Sequence, residues 1–106
     1  MKLPDIHDFS TTALYQQATQ ILHSSQTLSI EEEAPNEFAA LFQTEKELLQ
    51  IRLQLGDDLT IQSILSSASD AWIRPFVFAV LIAADAMREY GVSDWETVRA
   101  SVSFIS

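Results

Sequence analysis

The chain has 106 residues, 47% of them hydrophobic, with 15 Asp and Glu against 6 Lys and Arg, no cysteine and two glycines. These numbers suit one acidic domain spanning 1–106, long enough to bury roughly two-thirds of the surface its unfolded chain exposes, with no room for a second. Two isolated glycines exclude a glycine-rich phosphate loop, the lack of cysteine excludes a disulfide scaffold and thiolate chemistry, and a net charge of −9 opposes direct binding to nucleic acid.

The first expected element is a helix over about Ser10 to Ser24, with Leu14, Ala18, Ile21 and Leu22 on its inner face. Ser24 to Pro35 reads as a long loop, because it ends that pattern, carries three successive glutamates and runs into a proline. Asn36 then stands where it would cap a helix whose apolar residues Phe38, Leu41, Phe42, Leu48, Leu49 and Leu55 mostly recur at helical spacing, up to Gly56. Within it, Leu49, Ile51, Leu53 and Leu55 alternate with Gln50, Arg52 and Gln54. That is a strand pattern, and Gly56-Asp57-Asp58 supplies a turn into Leu59-Thr60-Ile61, so a hairpin over 49–61 is the alternative. The helix-forming propensity of Leu, Gln and Arg favours the helical reading.

Thr60 to Ala68 reads as a short helix with Ile61, Ile64 and Leu65 inward. Pro75 to Tyr90 is a stronger helix: proline fits the first turn, Gly91 fits a left-handed residue after the last, and Phe76 to Ile82 leave no polar face for two turns. The C-terminal helix opens on Ser93-Asp94-Trp95-Glu96, the pattern of a capping box, and carries Trp95, Val98, Val102 and Ile105 as its apolar stripe. The expected fold is therefore all-α, a compact bundle of about five short helices around the nearly all-apolar helix at 75–90. No apolar run approaches the roughly 20 residues of a membrane span, and the N-terminus has no signal-peptide core, so a soluble cytoplasmic protein is expected.

Catalytic chemistry finds little support in the residues. The histidines are His7, inside Asp5-Ile6-His7-Asp8, which reads as a solvated terminus before a weak metal site, and His23 at a helix end, where it caps the carbonyls before it catalyses. None of the twelve serines stands in a nucleophile elbow or before a lysine at the required spacing. Asp85 follows the apolar part of its helix and precedes Arg88 by three residues, a structural pair before a catalytic acid. No catalytic residue, metal site or cofactor is expected.

Charge is the more informative feature. Residues 31–58 carry eight acidic and two basic side chains, whereas residues 9–30 carry none of either sign. Glu31, Glu32, Glu33, Glu37, Asp57 and Asp58 accordingly form a candidate patch for a protein partner with a basic surface, since complementary charge steers encounter and fixes register. The large aromatics Trp72, Phe76, Trp95 and Phe104 read as core. The function expected is a non-enzymatic one: binding and masking a partner, as an inhibitor, an immunity protein or a small chaperone does. The alternative is a homodimeric regulatory or structural subunit, which would cover the apolar surface that a five-helix domain leaves over.

Overall fold

The computed structural model describes residues 12–102 and shows an α+β fold in place of the expected helical bundle. Helix α1 (Thr12–His23) leads into four strands, β1 (Thr27–Ala34), β2 (Glu37–Gln43), β3 (Leu48–Leu55) and β4 (Ile61–Ser66). A single 3-10 turn (Ala71–Ile73), helix α2 (Arg74–Tyr90) and helix α3 (Trp95–Val102) follow. The strands form one antiparallel meander in the order β1-β2-β3-β4. Of the earlier features, Asp5 to Asp8, Ser10, Phe104 and Ile105 lie outside the described residues.

The region expected as one helix over 36–55 is a β-hairpin. Phe38, Ala40 and Phe42 of β2 stand opposite Leu53, Ile51 and Leu49 of β3, and all six are buried. The alternation in β3 is complete, each leucine or isoleucine from Leu49 to Leu55 turned inward and each Gln or Arg outward. Burial of a full sheet face thus overrides the helical propensity of the same residues. The hairpin alternative placed β3 and its turn correctly, and β4 replaces the expected helix over 60–68. The supposed loop at 24–35 is largely strand: β1 pairs with β2 from Thr27 to Ala34, with register irregularities near both ends.

The turns explain how this meander is held. Pro35 and Asn36 join β1 to β2, with proline fixing its own φ and Asn36 at φ 65, a left-handed position that asparagine tolerates. Asn36 is therefore a turn residue, not a helix cap. Between β2 and β3, the Thr44 hydroxyl accepts the amides of Lys46 (3.2 Å) and Glu47 (3.0 Å) and donates to the Glu47 carbonyl (2.6 Å). Between β3 and β4, the Leu59 amide donates to the Gly56 carbonyl at 2.9 Å and the Asp58 carboxylate accepts the Thr60 amide at 3.1 Å. Gly56 thus opens a turn rather than closing a helix.

The helices lie on one face of the sheet, over β1 to β3. Leu22, Val80, Met87, Trp95 and Val98 meet Ile30, Phe38, Phe42, Leu49, Ile51 and Leu53 in a single core. Phe42 packs edge-on against Phe76, with ring centroids 5.3 Å apart. α2 packs on the sheet in place of the expected centre of a bundle, with Val77, Phe78 and Ile82 only half-buried; as expected it ends at Gly91, at φ 68, where its amide and that of Val92 reach the carbonyls of Arg88 (3.2 Å) and Met87 (3.0 Å). The start of α3 lies one residue later than the capping box implies. Asp94, not Ser93, is the cap, accepting the Thr97 amide at 2.9 Å, while the Ser93 carbonyl accepts the Glu32 amide at 2.9 Å and so covers the outer edge of β1. Trp95 closes the layer by donating its indole N–H to the Leu22 carbonyl at 3.3 Å.

Candidate functional site: the open face of the sheet

Among the described residues the helices cover one face of the sheet, and the side chains on the other face follow from strand alternation. Glu31 of β1, Ala39 of β2, Arg52 of β3 and Leu65 of β4 form one cross-strand row. Toward the 35–36 turn the next row holds Glu37, Gln54 and Ser63, with Glu33 at its β1 side; in the other direction lie Ser29, Leu41 and Gln50. Ala39 is small enough for the Arg52 side chain to pass over β2, and its Nη1 lies 3.0 Å from Glu33 Oε2. An exposed pair of this kind contributes about 0–1 kcal/mol. Its larger effect is positional, because it leaves a shallow depression of about 200 Å³ floored by Ala39 and walled by Glu31, Glu33, Leu41, Gln50 and Arg52. A smaller one of about 110 Å³ lies beside it, between Glu33, Glu37, Gln54, Ser63 and Leu65.

Of the six residues expected to meet a partner, Glu31, Glu33 and Glu37 come together on this face. Asp57 and Asp58 stand in the β3–β4 turn, at the same end of the sheet as the Pro35–Asn36 turn, where Leu55 donates its amide to the Asn36 carbonyl at 2.9 Å. Glu32 is separated from them. Alternation turns it to the helix side, where its carboxylate accepts the Asn36 amide at 3.1 Å and borders a depression shared with Arg88, Ser93 and Asp94. A run of three glutamates in a strand is thus divided between two faces.

Sequence reasoning missed Ala39, Leu41, Arg52, Gln54 and Leu65, which complete the face. For Ala39, Leu41, Arg52 and Gln54 the signal was the period-2 spacing from Glu37 to Gln43 and from Leu48 to Leu55, masked in β2 because Phe38, Leu41 and Phe42 also fit a helical stripe; Leu65 reaches the face only by pairing with Arg52. His23, expected to cap α1, is its last residue, and its ring lies 6.3 Å from that of Trp95. The Ile21 carbonyl there accepts the Ser24 and Thr27 hydroxyls at 2.8 and 2.7 Å. Asp85 is half-buried on α2.

Among the described residues no three His, Cys, Asp or Glu side chains are grouped so as to hold a metal ion, and no helix is long and apolar enough to cross a membrane. No protein-family model, curated protein or solved structure matches the chain.

Proposed function

We propose that this protein is a non-enzymatic binding protein that masks a basic surface of a protein partner with the open face of its sheet, as an inhibitor, immunity protein or small chaperone does. The observation that supports this reading is the juxtaposition of Glu31, Glu33 and Glu37 with the small and apolar floor of Ala39 and Leu41 on a face that no helix covers among the described residues. Among the described residues, three carboxylates against the one cation Arg52, itself engaged by Glu33, leave that surface net negative. Alternating small and charged residues on a flat sheet present no deep cleft for a small substrate; they offer a broad surface with a shallow depression, suited to an arginine- or lysine-bearing protein surface.

The test is affinity capture from the native host with the wild type and with the triple variant E31Q/E33Q/E37Q. A partner carried by this face binds the wild type at low salt, weakens steeply as ionic strength shortens the range of the charges, and binds the variant at least about tenfold less tightly. A partner held equally by both proteins overturns the reading.

A further inference from the structure

The two edges of the sheet are treated differently. On β1 the Glu32 amide is taken by the Ser93 carbonyl, and Glu31 forms an isolated bridge with Asp94, so the segment before α3 covers that edge. β4 has no strand on its outer side among the described residues. The helix layer also stops short of it, lying over β1 to β3. Ile64 stands opposite the buried Leu53 and therefore faces the helix side, yet it is 38% exposed; Leu65, on the open face, is 64% exposed.

Natural edge strands are usually protected by a lysine, a proline or an inward charge. β4 has none of these: from Leu59 to Ser69 the chain contains no charged residue and no proline. In a molecule of net charge −9, contact between two copies is opposed over most of the surface, and an uncharged edge is where that opposition is least. We propose that β4 is a homodimer interface, in which two copies pair their β4 strands antiparallel about a two-fold axis to make one continuous eight-stranded sheet.

The register follows from the ladder. Ser67 donates its amide to the Gln50 carbonyl at 2.9 Å, and Leu65 and Ser63 pair with Arg52 and Gln54 in the same phase. By the alternation of an antiparallel ladder, the amides and carbonyls of Ile64 and Ser66 point away from β3. A two-fold axis perpendicular to the sheet keeps like faces together and pairs residues of equal phase; of the registers this allows, the one with Ile64 opposite Ile64 of the second copy centres the contact on the exposed isoleucine. Each Ile64 amide then donates to the other's carbonyl, the two isoleucines cover one another in the space the helices leave open, and the two Leu65 side chains become diagonal neighbours on the open face. Asp58 and Asp70 fall outside both ends of this short ladder. Because the β1 edge is already covered, growth stops at two copies rather than continuing as a filament.

This inference is independent of the partner surface proposed above, and its test does not use that partner. Sedimentation or light scattering is measured on the full chain from about 1 to 300 μM, the range in which a small interface passes from empty to occupied. A monomer–dimer equilibrium is expected, tightened by added salt because the chains repel. I64P removes one outward amide without touching the β3 ladder, and L65E places a second carboxylate near the axis while remaining beside Arg52 within its own chain. Each is expected to weaken the dimer by about tenfold or more. Should I64P fail to fold, L65E alone decides. A monomer at every concentration overturns the proposal, whether or not the Ile64 and Ser66 amides are protected from exchange by another segment of the same chain, and so does a dimer that a folded L65E leaves intact.

Discussion

Single residues in this protein act mostly through the backbone positions they permit. Gly91 ends α2 at φ 68, and a Cβ there would meet nothing within 4 Å, so the cost of Gly91→Ala is the left-handed conformation itself. The variant is expected to lose about 1–2 kcal/mol of stability, measured by denaturant unfolding. Asp94 acts through its charge. Hydrogen bonds from the Thr97 hydroxyl and then the Thr97 amide hold its carboxyl below the ordinary aspartate range. A carboxyl depressed in the folded state stabilises above its unfolded pKa and loses that contribution as pH falls through the folded value. The difference in thermal stability between wild type and Asp94→Asn is thus expected to be largest near neutral pH and to shrink as pH drops below the ordinary aspartate range. Gly91 was legible in the sequence, because a helix stop is local; the cap of α3 was read one residue early, at Ser93, because its place depends on Ser93 being engaged by Glu32 of a distant strand.

At the scale of elements, β2 shows why the hairpin was misread. Phe38, Leu41 and Phe42 satisfy helical spacing, yet only Phe38 and Phe42 are buried, whereas Leu41 is half-buried on the open face. The two readings differ in what they require of Leu41. Phe42→Ala is expected to cost about 3–5 kcal/mol, because it opens a cavity against Phe76, while Leu41→Ser costs about 1 kcal/mol or less. Equal losses would restore the helical reading. α2 and α3 were legible because α2 carries a start signal at Pro75 and a stop signal at Gly91, α3 carries a start signal at Ser93 to Glu96, and no strand alternation contradicts the apolar pattern of either. β1 was not, since Glu31 to Glu33 have no apolar alternation and become strand only by pairing with β2.

For the whole molecule, placing helices on one side of a four-stranded sheet creates both surfaces for which a function is proposed: an acidic open face, and an uncharged edge with no further strand beside it among the described residues. They predict opposite responses to the same variable. Binding of a basic partner weakens as salt is added, whereas self-association through β4 strengthens, and one salt series with both readouts separates the two. Composition, charge and local pattern alone determined the acidity of the chain, the strong helix at 75–90 and the concentration of carboxylates between residues 31 and 58. Which of those carboxylates share a surface was decided only in three dimensions. Alternation in a paired strand sends Glu31 and Glu33 to solvent and Glu32 to the helix side, and pairing is a contact between residues far apart in the chain that no local pattern contains.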